Sequence, residues 1–166
     1  MIETVKGLLT EEELSYVNDL IKNESEWKWR TSYDEKNGLG ERLWFDSIFV
    51  DCSKLENYYE IMESNSEYEV VETAINIIRP DRQLENSKHF DSGDLSFATY
   101  LNNDFEGGRF FYYNDKDEEF SIAPYAGLSI KIHSKTQHRV EPVTSGVRFS
   151  LYSFLQKKQK KNKTLL

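Results

Sequence analysis

Apolar and polar positions change period along the chain, and the changes divide it. Over residues 10–22, Leu14, Val17 and Ile21 fall on one helical face, and Thr10 with Glu13 forms a capping box, so the pattern predicts a helix. Residues 27–33 alternate (Trp27-Lys28-Trp29-Arg30), as a strand does. Asn37-Gly38 and Gly40 then mark a loop over 33–41. The acidic and aromatic stretch 33–45 is where a substrate lid would sit, and an ordinary connection carries the same signature. Residues 53–63 read as a second helix, with a capping box from Ser53 to Glu56 and an apolar stripe of Leu55, Tyr58, Tyr59 and Met62.

From Tyr68 onward the period becomes that of strands. Residues 70–78 are β by composition, and Arg79-Pro80-Asp81-Arg82 ends the run. Further strands are predicted over 95–102, 109–113, 119–122, 128–133, 138–141 and 147–155, punctuated by Gly107-Gly108, Asn114-Asp115 and Ala126-Gly127. Many short strands with little helix predict a mainly β sandwich or barrel carried on N-terminal support helices. No repeat or linker divides the chain. The expected organisation is one domain over 1–156, with helical support in 1–66 and the β core in 67–156, then a Lys-rich tail over 157–166.

Composition narrows this picture. A chain of 166 residues suits one domain and can bury roughly 70% of its unfolded surface without a staple. The formal charge is −8, and five lysines crowd the last ten residues, so the rest is more acidic still. Such a body is a poor match to a phosphate backbone, and no nucleic-acid partner is expected. The tail reads as a solvated terminus. Cys52 has no second cysteine to pair with, which suits a reducing compartment. The first residues lack a signal-peptide pattern, and no apolar run reaches membrane-spanning length. The expectation is a soluble cytoplasmic protein with no membrane partner, its oligomeric state open.

The chemistry concentrates between Lys88 and Phe154. His89 and Asp91 are two apart, so on an extended chain they point to one face. His138, from a distant strand, would complete a set of two imidazoles and one carboxylate, which holds non-haem Fe(II) and leaves positions open. His133 competes for that role but lies five residues too early for the arginine that follows. That arginine, Arg148, comes ten residues after His138 on a run where Arg148, Ser150 and Tyr152 share a face. An inward guanidinium needs an anion, and its fork suits a carboxylate. A small dicarboxylate chelating iron at one end and meeting Arg148 at the other satisfies both demands. Arg79, Arg82 and Arg109 are the next candidates for that carboxylate.

These residues carry a resemblance. His89-x-Asp91, Tyr100-Leu101-Asn102, Glu106-Gly107-Gly108, Pro124-x-Ala126-Gly127 and His138-Arg139-Val140-x-Pro142-Val143 leading to Gly146-Val147-Arg148 resemble the prolyl 4-hydroxylase-like branch of the Fe(II)/2-oxoglutarate dioxygenases. Two departures stand out: Arg79-Pro80-Asp81-Arg82-Gln83 lacks the Tyr-x-x-Gly common there, and His133 stands where many relatives carry proline. The resemblance implies a double-stranded β-helix, or jelly roll, with iron held by His89, Asp91 and His138. It implies that Arg148 pairs with the far carboxylate of 2-oxoglutarate, with Tyr100 donating a hydrogen bond to it. It further implies Fe(II), 2-oxoglutarate and O2, with ascorbate as a reductant, and hydroxylation of an unactivated C–H. Peptidyl proline is the leading substrate; a free amino acid or small metabolite is the second reading, and a non-enzymatic metal-binding jelly roll the third. Asp91 argues against the halogenases, which lack the carboxylate. Phe154 stands where nucleic-acid demethylases carry a second arginine.

Overall fold

A computed structural model of the chain describes residues 2–23, 28–34, 40–65, 67–83, 86–91 and 93–159. In chain order these form β1 (Ile2–Lys6), α1 (Glu11–Asn23), β2 (Lys28–Asp34), β3 (Gly40–Phe49), a 3-10 turn (Cys52–Lys54), α2 (Glu56–Met62), β4 (Tyr68–Ile78), β5 (Asn86–His89) and β6 (Leu95–Tyr100). There follow β7 (Glu106–Gly107), β8 (Phe110–Tyr113), β9 (Glu119–Ile122), β10 (Leu128–His133), β11 (His138–Val140), β12 (Val143–Ser145) and β13 (Arg148–Lys157).

Three antiparallel sheets result. The largest runs β1-β10-β6-β13-β4-β3-β2, the second β5-β11-β8-β9, and β12 pairs with β7. The mainly β jelly-roll architecture expected from the sequence is the one observed. The first 66 residues contribute β1, β2 and β3 to the large sheet as well as the two helices.

Alternation along β13 sorts the molecule into two sides. Leu151 and Leu155 are fully buried in a cluster with Val17, Leu55, Tyr58 and Met62, so this side of the large sheet packs on the helices. Arg148, Ser150 and Tyr152 point to the other side and line a cavity. There Tyr100, Leu128, Ile130 and Ile132 of the large sheet pack against Phe110 of the second sheet.

The capping box of α1 forms in full. Thr10 N–H donates to Glu13 Oε1 at 3.0 Å, and Glu13 N–H donates to Thr10 Oγ1 at 3.1 Å. The other Glu13 oxygen accepts from Tyr58 N–H of α2 at 3.0 Å, which buries Glu13 and ties the helices together. The expected face therefore shifts: Val17 is buried and Ile21 packs on the core, but Leu14 is 37% exposed.

The expected capping box from Ser53 to Glu56 does not form. The Asp51 carboxylate takes both Ser53 N–H (3.0 Å) and Ser53 Oγ–H (2.8 Å), so the chain first makes the 3-10 turn and α2 starts at Glu56. The expected stripe of α2 is observed, with Leu55, Tyr58 and Met62 buried.

Strand β13 runs past the expected end at residue 155. Lys157 pairs with Tyr68, its N–H donates to Asp94 Oδ2 at 2.8 Å, and Lys158 N–H donates to the Glu67 carbonyl at 2.8 Å. The rest of the predicted tail, 160–166, lies outside the described residues, as do 35–39. The remainder of the stretch 33–45, expected as a loop and lid, is strand: β2 runs through Asp34, β3 begins at Gly40, and the two pair with Tyr33 opposite Glu41. No helix among the described residues is long and apolar enough to cross a membrane.

Candidate metal centre

β5 ends at His89 and β11 begins at His138, and the antiparallel register sets the two histidines opposite each other. Asp91 follows β5 by two residues. The ligand atoms of His89, Asp91 and His138 all lie within 4.8 Å of one another, and all three residues are buried. Asp91 Oδ1 stands 3.1 Å from His138 Nε2 and 3.5 Å from His89 Nε2. The imidazole centroids are 4.5 Å apart, and Phe110 stacks on His138 at 5.4 Å.

Both rings are oriented from behind. His89 Nδ1 is 2.6 Å from the Ser87 carbonyl, and His138 Nδ1 is 3.0 Å from the Thr136 carbonyl. A carbonyl only accepts, so each Nδ1 carries a proton and each ring turns its Nε2 toward Asp91. Two imidazole nitrogens and a carboxylate oxygen gathered in a buried space form a donor set that could hold a metal ion, and two nitrogens with one oxygen suit Fe(II). The three groups are also coupled electrostatically. Burial alone would raise the Asp91 pKa, but the imidazoles, His138 foremost, hold it well below the usual carboxylate range. Burial would lower the His138 pKa, yet Asp91 and the Thr136 carbonyl raise it above its ordinary value. His133, the competing ligand, ends β10 paired with Leu95 and is outside this cluster.

A cavity of about 100 Å³ extends from these three residues along the inner side of the large sheet. Arg148 forms part of its wall at 5% exposure, and among the described residues its Nε and Nη1 have no hydrogen-bond partner. Its guanidinium carbon lies 5.7 Å from the centre of the Tyr100 ring. Burial pushes the Arg148 pKa down, partly countered by Tyr100. A buried, charged donor without a partner costs several kcal/mol (~2–5) until an anion reaches it, so the residues present fit a carboxylate.

Of the other polar wall residues, the sequence assigns Tyr100 and places Ser150 on the face of Arg148, but gives no role to Asn76 or Ser96. Ser150 pairs in register with Asn76 of β4 on one side and Tyr100 of β6 on the other. Three polar side chains thus stand in one row beside Arg148 and line the cavity. Asn76 Oδ1 and, farther along, Ser96 Oγ are buried without partners among the described residues. The available signal was parity: Asn76 is polar within the apolar run Ala74–Ile78 and falls on the cavity side. Arg79, Arg82 and Arg109 do not line the cavity.

No family model matches the sequence. A curated PKHD-type hydroxylase from Psychrobacter sp. (strain PRwf-1) is 39% identical over 72 residues, which is 42% of this chain and 27% of that protein. The chain therefore matches under a third of that relative's length. Among solved structures, a Pseudomonas putida prolyl-4-hydroxylase superposes with a TM-score of 0.66 at 17% identity, over 95% of this chain and 92% of that one. An oxidoreductase of the 2OG-Fe(II) oxygenase family from Burkholderia pseudomallei gives 0.63 at 18% identity, over 99% and 89%. With His89, Asp91 and His138 gathered between two antiparallel sheets, the fold is the jelly roll of the 2OG-Fe(II) oxygenases, and the chain resembles their prolyl 4-hydroxylase-like branch.

Proposed function

We propose that the protein is an Fe(II)- and 2-oxoglutarate-dependent dioxygenase that hydroxylates an unactivated C–H of peptidyl proline. The observation that carries this reading is the pairing of two unmet demands in one cavity. Three ligand atoms within 4.8 Å would suit a cation, and Nε and Nη1 of Arg148, without partners among the described residues, would suit an anion.

His89, Asp91 and His138 would hold the metal. Arg148 would take the far carboxylate of 2-oxoglutarate, with Tyr100 and Ser150 beside it in register. The bound metal and 2-oxo acid together supply oxidation by O2, with loss of CO2 and release of succinate. The chain's own contribution is orientation. The Ser87 and Thr136 carbonyls fix which nitrogen of each imidazole faces inward. Ile78, Phe110, Ile132, Val140 and Phe154 line the cavity with apolar surface and exclude water from it. No side chain is required as general acid or base.

The peptidyl-proline reading is supported by the likeness to a structure named as a prolyl-4-hydroxylase. Succinate release that depends on a proline-containing peptide, measured with Fe(II), ascorbate and 2-oxoglutarate, tests it. Turnover with free amino acids but not peptides would move the substrate to the small-metabolite class. Absence of 2-oxoglutarate binding by the Fe(II) protein would overturn the enzymatic reading and leave a metal-binding jelly roll.

A further inference from the structure

Two carboxamides hold the segment that leads from β11 into β13. Gln83 Nε2 donates to the Val143 carbonyl at 2.7 Å, and Gln83 Oε1 accepts from Val143 N–H at 2.9 Å. Asn102 Nδ2 donates to the Val147 carbonyl at 2.7 Å, and Asn102 Oδ1 accepts from Phe149 N–H at 2.9 Å. A carboxamide bonded this way replaces the peptide group of a neighbouring strand. For Gln83 both bonds fall on one residue. For Asn102 they fall on the two residues that flank Arg148.

The position of Asn102 explains its use. On one side, Arg148 pairs in register with Ile78 of β4. On the other, the ladder between β13 and β6 begins only at Ser150 opposite Tyr100. One further bond, from Leu101 N–H to the Phe149 carbonyl at 2.9 Å, continues it. β6 has ended where Arg148 needs a neighbour, and Asn102 takes its place. The orientation of the amide is itself fixed, because Nδ2 also donates to Asp104 Oδ1 at 2.6 Å. Two acceptors on one side and an N–H on the other leave a single assignment of nitrogen and oxygen.

At the other end of the Arg148 side chain, Nε and Nη1 meet no acceptor among the described residues. The aim of the guanidinium is therefore set mainly from its backbone and by packing. Gly108 is part of that packing: a Cβ there would lie 3.5 Å from Arg148 Cδ. A fork recognises a carboxylate through two parallel bonds, so a small rotation of its backbone misaligns both.

We propose that Asn102 is a positioning residue for Arg148, holding the peptide units on both sides so that the guanidinium faces the far carboxylate of the co-substrate. This rests on the reading of Arg148 as the carboxylate partner. Gln83 is the matched control, since it makes the same kind of clamp without bracketing Arg148.

The test is calorimetric titration of 2-oxoglutarate into the anaerobic Fe(II) protein, with metal affinity and Tm measured alongside. Asn102→Ala should weaken 2-oxoglutarate binding on the order of tenfold while metal affinity stays within about twofold. Gln83→Ala should lower Tm comparably and leave 2-oxoglutarate affinity within about twofold. If Asn102→Ala does not fold, Asn102→Asp serves instead. It keeps the acceptor for Phe149 N–H and loses the donor to Val147, so weaker co-substrate binding is again expected. Unchanged affinity in the Asn102 variant, or equal weakening by the Gln83 variant, overturns the positioning role. A parent protein that binds iron but not 2-oxoglutarate overturns the underlying reading, and this inference falls with it.

Discussion

The two sides of the seven-stranded sheet are built from the same alternating strands and treat polar groups in opposite ways. Facing the helices, buried hydroxyls are joined to one another. Tyr59 Oη–H donates to Thr73 Oγ1 at 2.7 Å, Thr73 Oγ1 and Ser153 Oγ are 2.7 Å apart, and Ser153 Oγ is 3.1 Å from Tyr58 Oη. Thr99 and Ser129, opposite each other on β6 and β10, hydrogen-bond at 2.6 Å. Facing the cavity, Arg148 Nε and Nη1, Asn76 Oδ1 and Ser96 Oγ lack partners among the described residues. Each such group costs about 1–3 kcal/mol when buried unpaired, more if charged. One side is completed by folding alone. The other keeps its polar groups open, as a surface completed by ligand would.

The largest effect should come from the candidate metal centre, where three ligand atoms lie within 4.8 Å of one another. Alanine at His89, Asp91 or His138 should abolish stoichiometric Fe(II) binding, measured by metal analysis after anaerobic loading. His133→Ala should bind iron as the parent does. Full occupancy in His138→Ala with loss in His133→Ala would reverse the ligand assignment and break the comparison at its strongest point.

Next in size is Arg148→Ala, which should cost on the order of 2–5 kcal/mol in 2-oxoglutarate binding, because the far carboxylate is left buried and unpaired. Iron binding should survive. Arg148→Lys should be intermediate at best, since a point charge cannot reproduce the fork. The charge-transfer band of a chelated 2-oxo acid reports the titration. Equal affinity in parent and Arg148→Ala would mean that the carboxylate is held elsewhere.

The sides can then be compared directly with two serine substitutions. Ser153→Ala removes a partner from both Tyr58 and Thr73 and should destabilise the fold by about 1–3 kcal/mol, or roughly 2–4 °C in Tm for each kcal/mol. Ser96→Ala removes an oxygen with no partner among the described residues and should leave stability unchanged or raise it by up to about 1 kcal/mol. Thermal unfolding of the metal-free proteins measures both. Equal destabilisation would show that the two sides are built alike.

Much of the candidate site was legible because spacing determines parity. His89 with Asp91, and Arg148 with Ser150, needed only the period of a strand. The row Asn76–Ser150–Tyr100 was not legible, because it depends on the register of three strands brought together from distant parts of the chain. Glu13 was read as a cap and nothing more, since its bond to Tyr58 N–H crosses 45 residues that no local pattern reports. Strands β7 and β12 are two and three residues long, too short to show a period. The two carbonyls behind the histidines lie two residues earlier in sequence, but only the local turn of the backbone aims them at Nδ1.

The smallest effect concerns where β13 stops. Beyond the pairing of Lys157 with Tyr68, two backbone N–H groups hold the described residues after Gln156: Lys157 N–H donates to Asp94 Oδ2 and Lys158 N–H to the Glu67 carbonyl. Both acceptors lie in exposed surroundings, so each bond is worth toward the lower end of about 0.5–1.5 kcal/mol. Truncation after Gln159 leaves both in place and should leave Tm unchanged. Truncation after Gln156 removes both and should lower Tm by a few degrees at most, roughly 2–4 °C per kcal/mol lost. Neither truncation touches the cavity wall, so 2-oxoglutarate affinity should match the parent in both. A loss of co-substrate binding on truncation after Gln159 would mean that the lysine-rich end reaches the open side of the sheet. The cavity would then be completed by the chain itself as well as by ligand.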